Sequence, residues 1–316
     1  MKKRVYINTA TAISPNGVVG EDGILHAIER DYKNIITNAN LRRRMSHIVK
    51  MGVACGLLCI QKNDNKPIDA IITATGLGCL EDTEKFLNSI IENDERLLNP
   101  TAFTQSTFNV IGAQIALLIN NHAYNNTFVH RGLSFESALI DAMMRVYEGD
   151  KNVLVGAIDE ATQTTQTIMQ KMGLLKSTIM GEGAQFFILS DENSSANSIE
   201  IKAVKTYTGK YSSEEIRQNI SAFLSDNKVE AENINCLITG DNSNPHQDII
   251  YTNVQSLFPS AEKKIFKDVC GEYPTASSYA LYVATNYAAN SHSKNLNMLI
   301  YNCYNGINHS LILLER

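Results

Sequence analysis

Clustered positive charge is the first thing missing from this 316-residue chain, which sets 28 Lys and Arg against 33 Asp and Glu for a formal net charge of -5. A nucleic-acid backbone or an anionic membrane needs grouped cations, so neither is expected as the main partner. The single basic run, Arg42-Arg43-Arg44, is too short to change that. Charged residues of both signs are sparse at 19%, below the ~25% of average soluble domains, but 44% hydrophobic residues exclude a disordered chain. No apolar run approaches the ~20 residues of a membrane-spanning helix. Lys2-Lys3-Arg4 leads into a short β-like run instead of the apolar stretch of a signal peptide, which makes the cytoplasm the expected compartment. The six cysteines, Cys55, Cys59, Cys79, Cys236, Cys270 and Cys303, lie far apart and mostly in apolar segments, so buried reduced thiols are expected, not a disulfide framework or a paired zinc site. The seven histidines lack His-x-x-x-His and His-x-His spacing. Gly-x-x-x-x-Gly-Lys-Ser/Thr is absent, and Gly76-Leu77-Gly78 lacks the third glycine and the acidic partner of a dinucleotide loop. A tight turn is the better reading there, and no cofactor is expected.

What is present is alternation. Short runs rich in β-branched residues at 5–9, 69–75, 127–130 and 152–158 read as strands, separated by segments of helical period at 81–93, 109–121 and 134–147. The second half repeats this pattern, with strands at 185–189, 199–206, 234–239, 297–301 and 310–314 and helices at 213–224, 248–258 and 276–288. The pattern predicts an α/β fold with covered sheets. A polar stretch at 191–198 marks a loop between two halves, residues 1–190 and 191–316, although no residue-by-residue repeat is visible.

Two segments invite a chemical reading. From Thr127 to Ala138 a strand turns through Gly132 into a helix, an elbow that exposes whatever stands at the helix start to the helix dipole and to free N–H groups. Ser134 is the only nucleophile there, and a helix-capping role is at least as good an account of it. Gly181-Glu182-Gly183-Ala184 precedes an apolar strand, where a buried glutamate that ties down backbone N–H groups is favoured over a general base.

Taken in order, these segments resemble the β-ketoacyl-acyl carrier protein synthases of the thiolase superfamily. The run Val5-Tyr-Ile-Asn-Thr-Ala-Thr-Ala-Ile-Ser-Pro15 resembles that family's opening strand and turn, and Asn99 to Asn109 with Ala113-Gln-Ile-Ala116 resembles its Pro-x-x-Phe and Ile-Ala region. Val153 to Asp159 resembles the strand after the nucleophile helix, Gly181-Glu-Gly-Ala184 is identical to a family hallmark, and Tyr301-Asn-Cys-Tyr-Asn-Gly306 through Asn308 resembles its glycine-rich loop. The resemblance implies a duplicated five-layer αβαβα fold, usually dimeric, with an acyl chain carried on a cysteine at the elbow.

It also implies that the reactive set is degenerate. The cysteine's position falls at about Gly132, with Ser134 the nearest hydroxyl and no cysteine between Cys79 and Cys236. The first catalytic histidine is replaced at Thr239 or Gly240. The second motif keeps Lys267 but carries Glu272 for histidine, an anion where a donor should meet a developing oxyanion; losing one such donor costs ~3 kcal/mol. His130, His246, Cys270, Cys303 and His309 fall near segments that line the family's pocket, where a rearranged Cys/His pair competes with the simpler reading of inert buried thiols. Phe108, Phe128 and Phe135, with Cys303, Asn305 and Gly306, are the expected pocket residues. The compact form resembles the small synthase-like proteins of bacterial aryl polyene and flexirubin-type pathways, some of which act like chain-length factors. The expected function is therefore a catalytically impaired subunit that pairs with an active synthase and with acyl carrier protein. The alternatives are a homodimeric active synthase or acyltransferase with a rearranged site, and a module that only binds carrier protein.

Overall fold

The computed structural model describes residues 3–194, 198–245, 247–291, 293 and 295–316. His246 and residues 195–197 of the expected inter-half loop therefore lie outside the described residues. The strands are β1 (Tyr6–Ile13), β2 (Ala70–Ala74), β3 (Tyr124–Phe128), β4 (Val153–Asp159), β5 (Gly183–Ser190), β6 (Ile199–Thr208), β7 (Ile234–Thr239), β8 (Glu262–Ile265), β9 (Asn297–Tyr304) and β10 (Asn308–Glu315). The α-helices are α1 (Ala39–Arg44), α2 (His47–Lys62), α3 (Leu80–Glu92), α4 (Pro100–Gln105), α5 (Val110–Leu118), α6 (Ser134–Glu148), α7 (Gln163–Lys171), α8 (Ser213–Asp226), α9 (Asp248–Ser256), α10 (Lys267–Cys270) and α11 (Ser277–Asn290).

Strand order exposes a duplication that residue identity hides. The sheet runs β3-β2-β4-β5-β1-β6-β10-β9-β7-β8, so each half, numbered from its own first strand, has the order 3-2-4-5-1. The pairing senses repeat too. β2 is parallel to β3 and β4, and β5 is antiparallel to β4 and β1. In the second half β7 is parallel to β8 and β9, and β10 is antiparallel to β9 and β6. The halves join where β1 meets β6 through two residue pairs, Tyr6 with Glu200 and Ile7 with Ile199.

Both faces of each half-sheet are covered, which explains the near-continuous apolar strands. On β2, Ala70 and Ile72 face the central core while Ile71 faces the outer core, and on β9 Met298 and Ile300 alternate with Leu299 and Tyr301 in the same way. The central core is filled by α6 and α11, with Phe135, Leu139 and Ala142 opposite Ala280, Leu281 and Ala284. Outside, α2 and α5 cover the first half-sheet and α8 and α9 the second. These are the five layers the resemblance implies.

Three departures have physical reasons. Helix α2 gives no clean helical stripe because it is buried on nearly all sides, from Ile48 to Ile60. β8 reads as Glu-Lys-Lys-Ile, the charged sequence of a protected sheet edge. β3 ends at Phe128 instead of reaching residue 130 and begins earlier, through Asn125 and Asn126, residues with poor strand preference that disguised it.

Candidate functional site

At the elbow, the chain leaves β3, passes His130 and enters a short 3-10 turn at Arg131–Leu133 before α6. The strained residue is Arg131, with φ +55, and not the glycine that follows it. What fixes Gly132 is space. A Cβ there would stand 2.4 Å from Cδ1, 2.5 Å from Cγ and 2.6 Å from Cβ of Tyr304, so the tyrosine occupies the volume into which a side chain at 132 would project. Ser134 is the first residue of α6 and is fully buried. Its hydroxyl accepts from the His130 N–H at 2.7 Å and donates to the Arg131 carbonyl at 2.8 Å, bracing the turn. His130 is exposed and bonds Ser137 Oγ through Nδ1 at 2.9 Å.

From the other half, β7 ends at Thr239 and Gly240, and a Cβ at 240 would stand 2.2 Å from Asn302 Oδ1 and 3.1 Å from Lys267 Cε. Lys267 Nζ donates to Glu272 Oε2 at 2.9 Å, and Asn242 Nδ2 donates to the same oxygen at 2.5 Å. The Lys267 side chain is 1% exposed, so this is a buried ion pair, whose Coulomb gain is set against desolvation of both charges. Glu272 is positioned by backbone ladders to the Gly181 loop, Glu272 N to Ile179 O at 2.9 Å and Gly181 N to Glu272 O at 3.1 Å. The two chains approach so closely that a Cβ on Gly181 would stand 1.9 Å from the Cys270 carbonyl oxygen, which accounts for that glycine.

Tyr304, Asn305, Glu272, Asn242 and Glu160 share one cavity of only about 30 Å3. That is enough to admit water and an order of magnitude below the ~300–1,000 Å3 of pockets that hold small-molecule ligands. Three polar atoms on its lining residues, Thr178 Oγ1, Gln247 Oε1 and Glu272 Oε1, have no hydrogen-bond partner among the described residues. Glu160 is pushed up to about 8, chiefly by burial. No cysteine or histidine among the described residues lines this cavity.

Sequence position misplaced several candidates. Cys303 points to the outer core and not to the cavity, and its Sγ lies 3.9 Å from His309 Nε2. His309 is fully buried, bonds Tyr301 Oη through Nδ1 at 2.9 Å and stacks on Tyr207 at 4.8 Å. Burial pushes the Cys303 thiol up to about 12 and the His309 imidazole down, so the pair is neutral, the reverse of a thiolate–imidazolium couple. Cys270 is buried with its thiol likewise pushed up by desolvation. Phe135 packs on Phe187 in the central core, with ring centroids 5.9 Å apart, and Phe128 borders that core. Phe108, half exposed, lines a separate groove of about 980 Å3 beside β3 with Leu117 and Val129. Asn305 and Gly306, both at positive φ, form the β9–β10 turn, and of the two only Asn305 reaches the cavity. The Gly76–Gly78 turn binds a carboxylate of its own. Asp159 Oδ1 accepts from Thr75 Oγ1, Gly76 N and Leu77 N, and its Oδ2 accepts from Thr275 N and Oγ1.

Glu182 is the buried brace expected, accepting from Ala27 N at 3.1 Å and Ala161 N at 3.3 Å. Its imidazole neighbours, His26 and His47, carry no sequence signal that marks them. The other feature missed is a cleft of about 550 Å3 that gathers Arg30, Lys33, Arg42, Arg43, Lys50 and Lys85 around His47, with Glu29, Asp31 and Glu81 among the acids. Only Arg42 and Arg43 in this group come from the basic run.

Residues 31–229, more than half of the chain, match the model of the β-ketoacyl synthase N-terminal domain, and the chain belongs to that family. No curated protein matches it by sequence. Among solved structures it is similar to the ishigamide ketosynthase/chain length factor, with a TM-score of 0.85 over 98% of this chain and 99% of that one at 14% identity. A type II PKS acyl-carrier protein in complex with its ketosynthase bound to the hexaketide gives 0.79 at 14% identity over 99% of both chains. A β-ketoacyl synthase from Burkholderia phymatum STM815 gives 0.79 at 12% identity, covering 99% of this chain and 100% of that one. At these identities the likeness shows the fold, a thiolase-like ketosynthase architecture.

Proposed function

We propose, from its membership of the β-ketoacyl synthase family, that this chain is a non-condensing, chain-length-factor-like subunit that pairs with an active synthase and works with an acyl carrier protein. The observation that carries the reading is the filled site. Tyr304 takes the volume above Gly132, Asn302 and Lys267 take the volume at Gly240, and Glu272 engages Lys267 and Asn242 through Oε2. Condensation needs an acylated nucleophile and donors aimed at a developing oxyanion, and the cavity of about 30 Å3 is an order of magnitude smaller than the ~300–1,000 Å3 of ligand-holding pockets.

Two surfaces support the partners. β3 is an end strand of the sheet, so one edge of its backbone is a template for another chain, and the 980 Å3 groove with Phe108 lies beside it. A synthase seated there meets Phe108, whose volume then limits its product length. The basic cleft at His47 suits an acidic carrier protein by charge complementarity, on a chain that is otherwise net negative. The compact form favours the aryl polyene or flexirubin-type branch, with residues 1–190 and 191–316 as its two halves and the cytoplasm as its compartment. No helix among the described residues is long and apolar enough to cross a membrane.

The test is co-expression with a competent synthase and its carrier protein. The proposal requires a heterodimer, product lengthening by Phe108→Ala, and no malonyl-dependent condensation by the lone protein. Condensation that is lost in Ser134→Ala would establish an active enzyme instead. Carrier binding with no synthase captured would leave a binding module.

A further inference from the structure

Residues 17–29 cross in front of the start of β5 and help enclose a second pocket, of about 160 Å3, lined by Gly17, Val19 and Leu25 on one side and by Lys267 and Glu272 on the other. Few backbone contacts hold this segment. Gly17 N donates to Val269 O at 3.2 Å and Leu25 N to Met180 O at 2.9 Å, and Gln166 Nε2 donates to Asp22 O at 3.1 Å. Ile28 N donates to Ser14 O and Ala27 N to Glu182 Oε1, both at 3.1 Å, and beside these runs a series of ties that alternates acid and imidazole. Asp22 Oδ2 lies 2.8 Å from His26 Nε2, and His26 Nδ1 lies 3.3 Å from Glu182 Oε1. The same Glu182 oxygen lies 3.2 Å from His47 Nε2, and His47 Nδ1 lies 2.8 Å from Glu29 Oε1. Each ring therefore presents both nitrogens to carboxylates. A neutral imidazole has one N–H, so both contacts on a ring are satisfied only when it is an imidazolium. Asp22, His26 and Glu29 belong to the crossing segment, whereas Glu182 and His47 belong to β5's approach and to α2, so the series braces the segment internally through Asp22–His26 and fastens its C-terminal part at residues 26 and 29.

We propose that the series Asp22–His26–Glu182–His47–Glu29 is a latch that holds residues 17–29 as a lid over the Lys267–Glu272 pocket, and that loss of an imidazole proton releases the lid. The inference rests on this geometry and stands whether or not the chain-length reading does. The carboxylates facing the latch favour charged rings, and the nearby cations oppose them. Around His47 these are Glu182, Glu29 and Glu160, with Arg30, Lys50 and Lys85 in the adjoining cleft; around His26 they are Asp22 and Glu182. The Glu182 hydrogen bond and charge raise His47 to about 9 against the opposing effect of burial. Burial lowers His26, but Asp22 and Glu182 outweigh it and its net shift is upward. Burial would raise Glu182, but His47 and the N–H groups of Ala161 and Ala27 hold it below its ordinary value. A raised imidazole value places the latch's contribution fully below about pH 6.5, still present at neutrality, and lost as pH climbs through about 9. Glu160, pushed up to about 8 with Glu81 and Glu182 beside it, ionises on the way and adds another anion near His47.

Hydrogen exchange of the full chain, corrected for intrinsic amide chemistry, tests this at pH 7 and pH 10 and in His47→Gln and His26→Gln at pH 7. The expected result is a selective rise of tenfold to a hundredfold in opening of residues 17–28. The displacement of His47 from 6.5 to about 9 bounds the effect at roughly 300-fold. If His47→Gln does not fold, His26→Gln, with a side chain 46% exposed, carries the mutational arm. Proton NMR titration of the two rings supplies an independent readout. Ring titration near 6.5, or exchange at 17–28 that is unchanged or rises no more than in the rest of the chain, overturns the latch.

Discussion

Adding one methyl group at the elbow probes the feature on which the proposed loss of condensation most depends. In Gly132→Ala the new Cβ would meet three Tyr304 atoms at 2.4 to 2.6 Å, where ordinary contact lies at 3.4–4 Å, so about an ångström must be found. The ring cannot swing away freely, because one of the three atoms is Tyr304 Cβ, fixed to β9, and the residue is 7% exposed. Overpacking of this kind costs about 1–3 kcal/mol, and the rigidity of the neighbour places the expectation near the upper end, ~3 kcal/mol. Tyr304→Gly alone is destabilising by its own cavity and by lost strand stiffness, but in that background Gly132→Ala should cost almost nothing. The double-mutant cycle should therefore return a coupling of about 2–3 kcal/mol from urea unfolding with unchanged m-values. Chemistry gives a second readout. A thiol introduced by Gly132→Cys should resist iodoacetamide with Tyr304 in place and react in the Tyr304→Gly background, against six native thiols that are all buried. If Gly132→Ala is neutral within ~0.5 kcal/mol and the cycle is additive, Tyr304 does not fill the site and the argument for a blocked elbow is lost.

Lys267→Met and Glu272→Met should each destabilise by about 3–5 kcal/mol because each leaves a lone buried charge, while the double variant should recover most of that loss in the same urea assay. Asp159→Ala should cost more than ~3 kcal/mol, since it strips the acceptor from Thr75, Gly76 and Thr275 in a dry site; a smaller change would mean that water replaces the carboxylate. Arg43→Glu with Lys50→Glu should weaken carrier-protein binding and flatten its salt dependence in calorimetry, with folding unchanged; an unaltered affinity would move the docking site elsewhere.

Whether a feature was legible depended on the range of the physics behind it. Strand and helix periods are local, and the segments at 199–206, 213–224 and 234–239 lie on β6, α8 and β7. Lys267 was readable because the carboxylate it meets is five residues on, whereas Gly181 was readable only through its motif, since the backbone it must admit is that of the distant Cys270. Helix α2 was not, since a helix buried on both flanks erases the stripe that betrays helices at a surface. Cys303 and His309 show the complementary error. Strand alternation alone sends Cys303 to the face opposite Asn302 and Tyr304, so proximity to a pocket-lining loop said nothing about which side the thiol would take.

The blocked site is the part that residue type could not reveal. The resemblance places Gly132 and Glu272 where a nucleophile and a donor are expected, and a sequence reading stops there, with Ser134 or a displaced thiol still in play. The structure adds volume. Tyr304 lies far along the chain, in a strand whose expected end was residue 301, yet its ring stands over Gly132. A lost cysteine alone would leave an empty synthase pocket for a nearby hydroxyl, whereas here Tyr304 stands over Gly132 and Lys267, Asn242 and Glu272 are joined by hydrogen bonds. If the proposed loss of condensation holds, the remaining surface is explained by contact, and the edge of β3 and the basic cleft, not the elbow, then carry the functional argument for this chain.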